Sequence, residues 1–348
     1  MAGCRAALPR GDGRNDCSGL FLPSAVYRVA MLSIPYETES FPPGTVVNGS
    51  ANLPVTWDDI LWAAVTVGRP NRQYVFRHGA ASVYEALFRW SLLRMALEQS
   101  GPRASRLRRT AAARTLDPTE KGAVNYFLGM TFCKLFAAKL LNTPWLLHLD
   151  VFRPALNPVL TGRSRPDLVG RQHHSTRWHA FECKGRISPP GATSKGKAKA
   201  QAQRLVSVNG VPCTLHIGAM TYLRGDALHF YWRDPPPENN RGIEVPLGSD
   251  AWMHYYEPVL EAVRGANPDA LRRDRDTLVA LEGADVKIGI HPVIARYLID
   301  RQWERAFQVA SEAKGSIAND GYQPDGIKVL AGESWTNRFV EPGMADQE

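Results

Sequence analysis

Three residues carry the chemistry that this chain is best equipped to perform. Asp167 lies in Arg165-Pro166-Asp167-Leu168-Val169-Gly170, and Glu182 and Lys184 lie in Phe181-Glu182-Cys183-Lys184-Gly185. Side chains on a strand alternate faces, so Glu182 and Lys184 share one face while Phe181 and Cys183 point the other way, into a core. A carboxylate beside an ammonium is costly if both are buried without adequate partners. A cation or a second carboxylate relieves that cost, and Asp167 supplies the carboxylate if the two segments pair as a hairpin. Asp167, Glu182, the backbone carbonyl of Cys183 and waters then make an all-oxygen site suited to Mg2+ or Mn2+. A metal held there polarises a phosphoryl oxygen and lowers the pKa of a bound water. Lys184 orients that water or stabilises charge developing on the phosphate. The competing reading is an exposed Glu182–Lys184 pair on an edge strand, with Asp167 merely opening a strand after Pro166.

The flanking sequence supplies elements to hold these residues. Thr56 to Val67 reads as a helix capped by Thr56. Residues 80–99 read as an amphipathic helix, with Val83, Leu87, Trp90, Leu93 and Leu97 inward and Arg89 and Arg94 solvated. A stretch without acids follows, containing Arg103, Arg106, Arg108, Arg109 and Arg114. It either neutralises phosphates along a nucleic-acid backbone or forms a solvated basic linker. Asp117-Pro118-Thr119-Glu120 opens a long apolar helix to about Leu141, with Asp117 as N-cap and Glu120 at N3. Trp145 to Phe152 reads as extended. The strand from Arg165 and the strand at Trp178–Gly185 are joined by a polar loop as a hairpin. Lys195 to Val208 reads as a helix ended by Asn209-Gly210, followed by strands at 213–223 and 228–234. Helical periodicity marks 250–264 and 291–313, and a short β-like tail surrounds Ile327 to Leu330.

The stretches RPDLVG and FECKG resemble the PD-(D/E)XK, or restriction-endonuclease-like, nuclease superfamily. The resemblance covers about a third of the chain. It implies an α/β fold with a central mixed sheet flanked by helices, whose core runs helix, strands, helix, strand over residues 116–235. It also implies Mg2+- or Mn2+-dependent hydrolysis of a phosphodiester, in DNA more often than RNA, without a covalent intermediate. Superfamily helices often add two residues to the site. The match suggests Glu120 as a metal-linked acid and Gln201 as a glutamine turned toward the reaction, with Lys197 and Arg204 on the same helical face as Gln201. Glu120 is equally explained as a cap, and Gln201 as part of a solvated face. Defence or DNA repair is a role by analogy only.

Around that core the sequence suggests a disordered tail or overextended start over 1–30, a helical region with the basic stretch over 31–115, and a mainly helical region over 236–348. The net charge of +8 favours a polyanionic partner. Five cysteines without zinc or redox spacing suit reduced thiols in a cytoplasmic protein. The hydropathy pattern suggests no membrane span, and no P-loop is present. A homodimer or separate partner subunits are compatible with the pattern. His173 and His174 read as exposed loop residues rather than ligands. Trp145, Trp178 and Trp232 read as core.

Overall fold

A computed structural model describes residues 31–69, 81–100, 105–155, 165–234, 242–272, 278–313 and 315–337. The chain is an α/β protein with a large mixed sheet, flanking helices and a small separate antiparallel sheet. In chain order, β1 (Leu32–Glu39) and β2 (Gly49–Val55) form a hairpin at one edge of the sheet. Helix α1 (Trp57–Thr66) starts at a capping box in which the Thr56 hydroxyl accepts from the Asp59 N–H and Asp59 accepts from the Thr56 N–H. Next come α2 (Ser82–Ala96), β3 (Leu97–Gln99), β4 (Leu107–Arg109) and the one-turn helix α3 (Ala111–Thr115). Helix α4 (Pro118–Leu141) opens on the Asp117/Glu120 capping box and closes at Asn142 in the left-handed conformation. By length and composition α4 could cross a membrane, but two-thirds of its most apolar window is buried within this fold.

Strands β5 (Trp145–His148), β6 (Leu168–Arg171) and β7 (Trp178–Arg186) form an antiparallel meander. Helix α5 (Ala192–Ala202) then leads to β8 (Leu205–Val208), β9 (Val211–Arg224) and β10 (Ala227–Arg233). The main path through the sheet is β2-β1-β10-β9-β7-β6-β5, parallel at β1/β10 and β7/β9 and antiparallel elsewhere. Beyond it lie β11 (Ile243–Val245), α6 (Met253–Ala266), β12 (Val279–Leu281), β13 (Val286–Ile290), α7 (Pro292–Ile299), α8 (Trp303–Glu312), the short α9 (Ser316–Asn319) and β14 (Ile327–Ala331). One continuous apolar core runs from Leu32 to Trp335, and Trp145, Trp178 and Trp232 are buried in it.

Several sequence expectations change. Residues 31–115 are not simply helical, because β1 and β2 extend the main sheet and β4 pairs with β10. The 236–348 region contains the antiparallel sheet β12-β13-β14 as well as helices. The helix expected over 195–208 stops at Ala202, and Leu205–Val208 is a strand. Asn209 and Gly210 both have positive φ, at 50° and 75°, so this pair turns a hairpin into β9 rather than ending a helix. The 291–313 periodicity is broken at Arg301, φ 57°, into two helices. Arg89 and Arg94 are not free solvated charges. Arg89 is buried against Glu85 and the Ala64 carbonyl, and Arg94 donates to the carbonyls of Ser334 and Asn337.

Candidate active site

The two helices nearest the motif strands lie on opposite faces of the sheet. On one side α4 comes so close that a Cβ on Gly185 would lie 1.6 Å from the Asn125 carbonyl oxygen. Cys183 shares that face and packs beside Cys133 of α4. On the other side α5 crosses over Gly218, where an added Cβ would meet the backbone at Ala198 and Lys199. Glu182 pairs in register with Gly218, and Lys184 with Met220, so both face the α5 side.

Strand β6 pairs with β7 through Leu168 opposite Phe181. Asp167, one residue before, therefore stands across from Glu182. Its position is fixed by two hydrogen bonds. Its carbonyl accepts the Leu149 N–H at 2.9 Å, and its Oδ2 accepts the Cys183 N–H at 2.8 Å. Asp167, Glu182 and Lys184 are thus brought together. Glu182 is 1% exposed, so the simple exposed-pair reading fails for the acid, while the Lys184 side chain is 41% exposed. Lys184 Nζ donates to Glu182 Oε1. Glu182 Oε2 is buried and has no hydrogen-bond partner.

The electrostatics follow from this crowding. Burial first, then the Asp167 charge, push the Glu182 carboxyl up to about 7 against the pull of Lys184. Burial also raises Asp167, opposed by the Cys183 N–H and Lys184. A buried carboxyl and a half-buried one, with one ammonium beside them, favour a further cation. Among the described residues no group of three or more His, Cys, Asp or Glu side chains forms a ready cage. The donor set nonetheless fits Mg2+, which is commonly held by one or two carboxylates and completes its shell with waters and substrate phosphate. The unpartnered Glu182 oxygen is the atom that such an ion would satisfy.

The two additional candidates do not join them. Glu120 is exposed and accepts the Asp117 N–H, which is the capping role. It begins α4, whereas the part of that helix beside β7 is Asn125 to Gly129. Gln201 is half-buried near the end of α5 and makes no side-chain hydrogen bond to Asp167, Glu182 or Lys184, while Lys197 and Arg204 are exposed. On that helix Lys195 lies 3.7 Å from the Tyr231 ring centroid, and Lys199 lies near enough to Asp234 to oppose the burial that raises its carboxyl to about 6. The basic stretch is not a linker. Arg108 pairs with Glu98 at 3.0 Å, and Arg109 and Arg114 share Asp226 at 2.6 and 3.2 Å. Arg106 is exposed, and Arg103 lies outside the described residues. His173 and His174 pack against each other with tilted rings, and His173 Nε2 lies 3.3 Å from the Ala310 carbonyl.

Sequence reasoning missed the residues beyond β5. The Asp150 N–H donates to His148 Nδ1 at 3.2 Å, and its Oδ1 accepts from Arg165 Nε at 2.6 Å. Asp150 is close enough to raise Asp167, and His148 Nε2 lies 3.3 Å from the Tyr126 hydroxyl. Burial holds His148 near 4, hence neutral at pH 7. The available signal was the acid two residues after His148, at the end of a strand adjacent to the motif hairpin. No family model, curated protein or solved structure matches the chain.

Proposed function

We propose that this chain is a metal-dependent phosphodiesterase acting on nucleic acid, DNA foremost, with its site built in the manner of the restriction-endonuclease-like superfamily. The observation that carries the reading is the buried, unpartnered Glu182 oxygen beside Asp167 and Lys184. Asp167 and Glu182 would hold the cation, with the backbone carbonyl of Cys183 as a third protein donor. When bound, the ion polarises a phosphoryl oxygen and makes its water a better nucleophile. Coordination would require Glu182 as the carboxylate, so binding would release the proton that burial favours there. Lys184, partly exposed at the edge of the site, then exchanges its contact with Glu182 for the scissile phosphate and stabilises the charge that develops there. His148, neutral and anchored to Tyr126, positions the turn carrying Asp150.

Incubation of the purified chain with plasmid, single-stranded DNA and RNA tests the reading. Cleavage is expected with Mg2+ or Mn2+ and not with chelator. Lys184→Ala should lower the rate by about 10²–10³-fold, as for loss of a group stabilising developing charge. Cleavage that Lys184→Ala leaves unchanged overturns the assignment.

A further inference from the structure

Beside the acidic site, α2 and α4 present aromatic rings to solvent. On α2, Tyr84 is 73% and Phe88 52% exposed, one helical turn apart and so on the same face. Phe88 meets Phe127 of α4 edge-on at 5.5 Å, and Phe127 meets Tyr126 at 5.6 Å. Tyr126 is itself 39% exposed. Its hydroxyl reaches His148, and the charges of Asp167 and Asp150 act on it. The rings therefore make one strip on the α4 side of the sheet that ends beside His148, Asp150 and Asp167.

The strip has positive charge beneath it. Arg69 and Arg89 are both buried and, among the described residues, share one acid, Glu85. The Arg89 guanidinium lies 5.6 Å from the Phe127 ring centroid, and its charge is felt at Tyr126 and His148. Two guanidiniums against one carboxylate leave a net cation below the rings. Exposed large aromatics are unfavourable in water unless something covers them. Flat rings over positive charge, leading to a phosphodiester site, match a polymer that alternates π-faces with phosphates.

We propose that Tyr84, Phe88, Phe127 and Tyr126 form a stacking platform for the bases of single-stranded nucleic acid, holding its backbone beside Asp167 from the α4 side of the sheet. The proposal rests on the phosphodiesterase reading and adds the substrate class. Unpaired bases stack on such rings whatever their sequence, whereas a duplex keeps its base faces hidden. The platform thus selects single strands, or the unpaired ends and flaps of duplexes, over continuous duplex.

Fluorescence anisotropy of the full chain in chelator, with a labelled deoxythymidine oligomer, the matching duplex and an abasic oligomer of equal length, tests this. The single strand should bind more tightly than the duplex. Phe88→Leu, which keeps apolar surface and loses the ring, and Tyr84→Ala should each weaken single-strand binding about tenfold, within the range for a lost base–aromatic contact. Wild type and variants should bind the abasic oligomer equally weakly. Melting temperatures close to wild type establish that the variants fold. Unchanged affinity in both variants, equal losses on the abasic oligomer, or preference for duplex each overturns the proposal. So does a change in oligomeric state without a change in oligonucleotide affinity, which makes the patch an interface between copies. Binding is read without cleavage, so an inactive protein that shows the expected binding pattern refutes the nuclease reading alone. An active one with unaltered variants refutes the platform alone.

Discussion

At the residue scale, burial works against the charged form of Glu182. Its carboxyl titrates near 7 rather than its ordinary 4.5. The folded chain thus keeps a proton that the unfolded chain releases as pH rises from about 4.5 to about 7. Stability falls through that window, and the penalty is complete above it. Glu182→Gln removes the charge and keeps the shape. In chelator it should melt above wild type near pH 8, by an amount on the order of 3 kcal/mol at most, and match it near pH 4. Mg2+ should raise the wild-type melting temperature and leave the variant almost unmoved. A variant no more stable than wild type near pH 8 would mean that Lys184 already compensates the buried charge. The alternation of β7 made Glu182 and Lys184 readable from sequence, because strand periodicity needs no partner. Asp150 was not readable, because its place beside Asp167 depends on the β5–β6 pairing and on Arg165, fifteen residues away.

At the element scale, the site depends on how tightly α4 lies on β7. Gly129 and Gly185 permit that approach, with a Cβ on Gly129 landing 2.7 Å from the Gly185 nitrogen. Gly185→Ala must push helix and strand apart next to Lys184. It should cost about 1–3 kcal/mol in urea unfolding, as overpacking does, and should lower cleavage even where the protein remains folded. Gly122→Ala on the same helix meets nothing within 4 Å and should be neutral or stabilising by up to about 1 kcal/mol. Equal behaviour of the two variants would show that the close approach does not matter. Local signals predicted α4 well, since its cap and apolar body act within one segment. They fail at β1 and β2, where Pro35 and Pro54 obscure the alternation and the second pairing partner of β1, after β2, is β10, nearly two hundred residues away. They fail again at 205–208, where Asn209-Gly210 reads as a helix stop although its two positive φ angles serve a hairpin.

At the scale of the whole molecule, the C-terminal segments are bound to the sheet domain through a buried polar network that the sequence did not disclose. Lys134 of α4 is fully buried, donates to the Pro144 carbonyl and to Tyr255 Oη at 2.7 Å, and lies 4.4 Å from the Trp62 ring centroid. Tyr255 passes the connection on, donating to Asp325 Oδ2 at 2.5 Å. Asp325, also fully buried, accepts from Trp62 Nε1 at 2.9 Å and from the Ile327 N–H at 3.0 Å. Its carbonyl accepts from Tyr256, whose hydroxyl takes the Trp145 N–H. Five elements, α1, α4, β5, α6 and the turn before β14, therefore share one set of hydrogen bonds. Removing one charge leaves the others desolvated and unmatched, so Asp325→Ala should destabilise by about 3–5 kcal/mol. Replacing both charges with apolar side chains, Lys134→Met with Asp325→Leu, should cost less than Asp325→Ala alone, because no buried charge is stranded. Because the network crosses from the sheet to the C-terminal segments, wild type should unfold in one transition whether followed by tryptophan fluorescence or by far-UV circular dichroism. Separate transitions, or a double variant no better than the single one, would mean that the C-terminal region stands on apolar packing alone and that Lys134 and Asp325 are only tolerated within it.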